Sequence, residues 1–275
     1  MKKRCIVLID FSEYSENLLK YASEWAKKIE AELLIVHKTS ISTPSFTSQE
    51  SEQKFIFDEI EETQYKLKEY CKRFISTDVT TKYQVKEDSL INQLNDLIKG
   101  SYQDLIFIGI KGTGFLKRIF IGSEAIRIID SIENTIIALP KQLDSYKLEK
   151  IHIAVSEEFN INTLALSRFL SLFEEEDKIK LNFFHFSKSK KESPKIAKYF
   201  KELEMLFSKD FVVSFNNFYV EGNKIDHIKE VITNKKDKEL IVLQKGSRYL
   251  SDQLFRKLLI NELFYEGQTP LIVLP

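Results

Sequence analysis

The chain has 275 residues, 43% apolar and 30% charged, enough for one large domain or two of ordinary size. Lys plus Arg and Asp plus Glu balance at 41 each; residues 1–145 hold 20 basic and 22 acidic, leaving 21 and 19, so neither half is a basic module drawn to nucleic acid or anionic membranes. The opening MKKRCIVLIDFSE has an apolar run broken at Asp10, too short for a signal peptide or a membrane span. Cys5 and Cys71 make no disulfide framework and lack metal-site spacing, so both are read as structural thiols of a cytoplasmic protein.

In chain order, Arg4 to Ile9 is a short β-branched run that suits a buried strand, ending at Asp10. Ser12 is placed as the N-cap of a helix whose face carries Leu18, Ala22, Trp25, Ala26 and Ile29. Leu33 to Val36 is a second strand, closed by His37. Thr39 to Ser51, rich in Ser, Thr, Pro and Gln, reads as a surface loop, and Phe55 to Phe74 as a long charged helix. Val79 to Val85 alternates as a strand, and Leu90 to Ile98 is a helix stopped by Gly100.

The stretch Asp104 to Pro140 carries the chemistry. A buried strand, Leu105 to Ile108, leads into a loop with Gly109, Gly112 and Gly114; Gly122-Ser123 then opens an amphipathic helix, and Ile136 to Leu139 is a last strand before Pro140. Glycines after a strand and a helix start beyond them let backbone N–H groups and a helix N-terminus receive phosphates. The spacing is neither the Walker lysine motif nor G-x-G-x-x-G; it is G-x2-G-x9-G-S.

The pattern then restarts. Lys150 to Val155 echoes Arg4 to Ile9; Lys180 to Phe184 with His185 echoes Glu32 to Val36 with His37; ELIVL at 239–243 echoes DLIFI at 104–108; PLIVLP at 270–275 echoes TIIALP at 135–140. The offsets, 146, 148, 135 and 135 residues, describe a tandem duplication. The alternation of strands and helices argues for parallel sheets with helices on both faces.

The G-x2-G-x9-G-S motif, the Asp10-Phe11-Ser12 after the first strand, His37 after the second and the Leu-Pro ending together resemble the universal stress protein family, and the whole chain resembles a tandem member of it. The expected fold is two doubly wound α/β domains, 1–143 and 148–275, each a five-stranded parallel sheet of order 3-2-1-4-5 with helices on both faces. The resemblance implies ATP, or AMP or ADP, bound between strands one and four, with magnesium as an accompanying ion. Asp10 would contact adenine or ribose, and Ile108 would line the base. Gly109 and Gly112 would lie close to ribose and phosphates, with Gly122 and Ser123 bonding phosphate at the helix N-terminus. Lys111, Lys117 and Arg118 add positive charge nearby. Lys38 and Glu124 occupy positions where the family usually has valine beside the nucleotide, and Leu8 stands where some nucleotide-binding members have proline. The resemblance further implies that the last strands, Ile136 to Leu139 and Leu271 to Leu274, pair antiparallel as an internal pseudo-dimer.

The second copy reads as degenerate. Ser156 stands in place of Asp10, Gln244 in place of Gly109, and no Gly-Ser follows in SDQLFRKLLINELF. His37 and His185, recurring at matching places, read as packing residues, and His152 and His227 as without a partner arrangement. No residue is assigned as catalytic and no metal site is expected: G-x-S-x-G, H-E-x-x-H and C-x-x-C do not occur. The expected function is therefore a stress-response protein switched by an adenine nucleotide, with an unidentified regulatory protein as partner and homodimerisation left open. The alternatives are a scaffold that binds no nucleotide and a slow ATPase.

Overall fold

A computed structural model describes residues 1–43, 48–109, 123–141, 143, 148–173, 179–187, 193–219, 238–246 and 269–275. In the first half the order is β1 (Lys2–Ile9), α1 (Ser15–Lys28), β2 (Glu32–Lys38), α2 (Gln49–Cys71), β3 (Thr81–Lys86), α3 (Leu90–Leu97), β4 (Tyr102–Gly109), α4 (Ser123–Ser131) and β5 (Thr135–Leu139). The second half has β6 (Lys150–Ala154), α5 (Thr163–Leu170), β7 (Lys180–Ser187), α6 (Pro194–Phe207), β8 (Val212–Tyr219), β9 (Glu239–Gln244) and β10 (Leu271–Leu274).

These strands form one sheet in the order β3-β2-β1-β4-β5-β10-β9-β6-β7-β8. Each half therefore has the expected 3-2-1-4-5 order, with parallel pairs throughout. The halves meet where β10 runs antiparallel to β5, with Ile272 opposite Ile137 and Leu271 opposite Ala138. The apolar runs at 136–139 and 271–274 thus close two sheet edges against each other within one chain, removing unpaired backbone that either half would otherwise expose.

Alternation along the strands divides the core into two layers. Cys5, Val7, Ile9, Leu105 and Phe107 face the side covered by α1 and α2, while Ile6, Leu8, Ile106 and Ile108 face α3 and α4. Helices lie on both faces of the first half, as a doubly wound sheet requires. On the second half α5 and α6 lie on the α1 side, and the layer is continuous across the seam: Trp25 of α1 stacks on Phe169 of α5 at 6.0 Å between ring centroids and meets Phe173 edge-on at 5.5 Å.

Element boundaries follow local capping. α2 starts six residues before the apolar stripe suggests, because Ser48 accepts from Ser51 N–H as an N-cap; of its 23 residues only Leu67 and Cys71 are buried. Ser12 does not cap α1. The helix starts at Ser15 after a turn in which Ser15 N–H donates to the Ser12 carbonyl at 3.0 Å, and Tyr14 occupies the cap position without a side-chain bond.

At the opposite end of the strands from these turns, Arg4 and Asp104 form a buried, two-pronged ion pair at 2.7 and 3.1 Å. Arg4 also donates to the Leu97 carbonyl and lies over the Tyr102 ring. Glu239 holds the corresponding place in the second half, and there the partner is His152, 2.8 Å away. Asn182 donates to the other ring nitrogen of His152 at 3.0 Å, while its own oxygen accepts from Ser214 and Asn216. His152 is thus a satisfied core histidine, correcting the sequence reading that gave it no partner; strands 30 and 87 residues away supply the partners. His227 lies outside the described residues.

Candidate functional site

β1 and β4 are neighbours whose carboxyl ends open onto the same side, and the winding reverses between them. That is where open α/β sheets leave a crevice. A cavity of about 300 Å³ occupies it, at the lower end of the range that small-molecule sites span. Leu8, Ile9, Asp10, Ser12, Tyr14, Ser15 and Leu18 line one side, and Ile108, Gly109, Leu90, Glu124, Ala125 and Ile128 the other.

Asp10 leaves the end of β1 and is held by two bonds to Oδ1: the Ser12 backbone N–H donates at 3.0 Å and the Ser15 hydroxyl at 3.3 Å. A short side chain that anchors its own turn leaves the carboxylate at the rim of the cavity. The turn is tightened by Phe11, which sits in the left-handed region at φ 57. For a bulky residue that conformation costs about 1–2 kcal/mol. Its ring meets His37 edge-on at 4.8 Å and Tyr70 at 5.3 Å, contacts that offset part of the cost. His37 in turn donates from Nδ1 to the Ile9 carbonyl at 2.7 Å, since a carbonyl can only accept. His185 makes the same bond to the Val155 carbonyl at 2.9 Å. Both histidines therefore brace the end of a neighbouring strand, as their recurrence in the sequence suggests.

Gly109 ends β4 against Tyr14. A Cβ on Gly109 would come within 3.1 Å of the Tyr14 Cβ, so glycine is what lets the α1 turn close over the end of β4. Tyr14 and Ser15 are wall residues that motif reasoning misses; the only hint in the sequence is their place within five residues of Asp10. The far wall is the first two turns of α4. Glu124, exposed, is its second residue, and Ala125 and Ile128 turn their side chains into the same cavity.

Of the sequence-derived site residues, the fold brings Asp10, Ile108, Gly109 and Glu124 to one cavity. Ser123 is the first residue of α4. Lys38 is not among the lining: it is exposed at the end of β2, opposite Lys86 of β3, because the strand runs two residues past the apolar segment. Gly112, Gly114, Gly122, Lys111, Lys117 and Arg118 lie outside the described residues.

The second half repeats the frame with different residues at the matching places. Ser156 takes the place of Asp10 and accepts from Glu158 N–H at 3.1 Å, so the turn is kept without the carboxylate. Gln244, at the Gly109 position, accepts from Asn162 N–H at 2.8 Å and donates to the Pro275 carbonyl. Its side chain ties the start of α5 to the end of β10, at the place where Gly109 packs against Tyr14 in the first half.

Among the described residues no three His, Cys, Asp or Glu side chains gather where they could hold a metal ion, and no helix is long and apolar enough to cross a membrane. Burial pushes the Cys5 thiol far up, with Asp104 adding to it, and pushes Cys71 up to about 12, so neither is poised as a nucleophile.

The sequence pattern of the universal stress protein family matches residues 1–139. Among solved structures, a universal stress protein from Archaeoglobus fulgidus DSM 4304 superposes with a TM-score of 0.67 at 14% identity, over 98% of this chain and 97% of its own. A protein of unknown function from Pseudomonas aeruginosa PAO1 gives 0.59 at 13%, covering 99% and 92%. A putative universal stress protein from Pseudomonas aeruginosa UCBPP-PA14 gives 0.56 at 12%, covering 99% and 93%. At such identities these likenesses show the fold alone, and they extend it over both halves. A comparison with curated protein sequences gave no match.

Proposed function

The chain belongs to the universal stress protein family, and from that membership we propose that its first half binds an adenine nucleotide, ATP or its AMP and ADP relatives, as a regulatory switch. The observation that supports this reading is the first-half crevice itself, open and walled by Asp10, Gly109 and the start of α4, whereas the second half has Ser156 and Gln244 at the places of Asp10 and Gly109. An open crevice at the winding reversal beside a helix N-terminus suits a ligand with an anionic tail. In this reading Asp10 bonds base or ribose hydroxyls, Ile108 supplies an apolar wall for the base, and the backbone at Ser123 receives phosphate. Lys38 is given no role in this reading, since it is not among the residues that line the cavity. Glu124 at the wall opposes a phosphate, so a magnesium ion arriving with the triphosphate would relieve that repulsion.

We assign no catalytic residue. Occupancy biases the shape of the crevice and the contacts that a cytoplasmic partner protein reads, with no turnover needed. The test is direct. Small molecules released from the denatured full-length protein are identified by mass spectrometry, and the stripped protein is titrated by calorimetry with ATP, ADP, AMP and cyclic AMP. One site per chain is expected; no heat with any of the four overturns the proposal and leaves the scaffold reading, which the Glu124 carboxylate favours.

A further inference from the structure

The residue after Gln244 reaches into the first half. Lys245 follows Gln244, and its backbone N–H donates to the Leu274 carbonyl at 2.9 Å, which fixes it to the end of β10. Its side chain, 17% exposed, crosses the seam, and Nζ lies 3.3 Å from the Ile132 carbonyl and 2.5 Å from a Glu133 carboxylate oxygen. Those acceptors stand at the C-terminal end of α4: Ile132 N–H donates back to the Ile128 carbonyl at 3.0 Å as the helix finishes. Carbonyls at a helix end lack partners within the helix and carry the negative pole of its dipole; a cation there satisfies them and neutralises that pole. α4 has nine residues and is about 13 Å long, so the helix that Lys245 grips at one end is the cavity wall at the other. Ile128 serves both ends, closing the last turn with its carbonyl and lining the cavity with its side chain.

We propose that Lys245 is a positioning residue for the first-half crevice: the second half holds α4 in register so that the helix start faces the phosphates. The offset of 135 residues puts Ile110 at the corresponding place in the sequence of the first half, and an isoleucine side chain has no N–H to donate. This inference rests on the nucleotide reading for its ligand arm, and a second arm stands without it.

The experiment uses full-length protein with Lys245→Met and Lys245→Arg. Amide hydrogen exchange without nucleotide should show faster exchange at Ile128 to Ile132 in Lys245→Met, unchanged exchange in β1 and β4, and recovery in Lys245→Arg. Calorimetry should show ATP bound roughly three- to tenfold more weakly by Lys245→Met, with adenosine, which has no phosphate for the helix start to meet, bound as in the wild type. Unchanged α4 exchange overturns the proposal; so does equal weakening of ATP and adenosine, or unchanged ATP affinity beside faster α4 exchange. Should the wild type bind neither ligand, the nucleotide reading fails, and the exchange result alone decides whether Lys245 holds α4.

Discussion

Phe169→Ala tests whether the two halves share one core. Phe169 is 2% exposed and lies against Trp25 and Phe173, so its ring bridges α5 and α1 across the seam. A buried aromatic removes about 150–250 Å² from water, which at about 25 cal/mol per Å² is an upper bound near 4–6 kcal/mol. Alanine retains part of that area and the void left behind adds a penalty, so the expected loss is about 3–5 kcal/mol. Trp25 is the chain's sole tryptophan, so its fluorescence reports the first half, while far-ultraviolet circular dichroism reports both. In urea, the two probes should give coincident transitions, shifted together to lower denaturant. A loss under about 1 kcal/mol would mean that the site collapses around the missing ring. A fluorescence midpoint left in place while the dichroism splits into two steps would refute the shared core outright.

Glu124→Gln removes a negative charge from the cavity wall, and ATP affinity should rise about two- to fivefold by calorimetry; a fall would mean that the carboxylate is used in binding. Arg4→Met strands the buried Asp104 carboxylate and should cost about 3–5 kcal/mol in urea denaturation, unless Asp104→Leu accompanies it and restores much of the loss. Cys71 should resist thiol reagents at pH 8 until the protein is unfolded. With its folded pKa pushed up from 9.0 to about 12, the unfolded thiol ionises first. Stability from this group is complete below about pH 9 and is lost as pH climbs from there to about 12. Thermal melts at pH 8 and 10.5 should differ less in Cys71→Ala.

Most strands and the duplication were legible because buried parallel strands are short runs of Val, Ile and Leu that need no distant context to be recognised; the strand order and the antiparallel seam came from the resemblance to the family, since such runs do not say which strand lies beside which. Val212 to Tyr219 escaped: as an edge strand it mixes Asn and Ser with Phe, and the echo of Thr81 to Lys86 is faint. α2 was misplaced at its start because a Ser-Gln-Glu-Ser segment looks like loop until Ser48 is recognised as a cap. Asp10 and Gly109 were found through the motif; Tyr14, which makes the glycine necessary, carries no pattern of its own. The Lys245 contact spans 113 residues and joins a lysine in a run of unremarkable sequence to a backbone carbonyl, which no side-chain code records.

The β5–β10 pairing has a further consequence for how such a protein can change over time. Two separate chains meeting along that edge would part on dilution and would carry identical crevices, because one gene writes both. Once joined in a single polypeptide, the mates stay together however scarce the protein is, and each can drift alone. If the proposed function holds for the first half alone, replacing a carboxylate and a glycine in one copy left the other copy's site untouched, and the fused molecule would respond to its effector along a simple hyperbola.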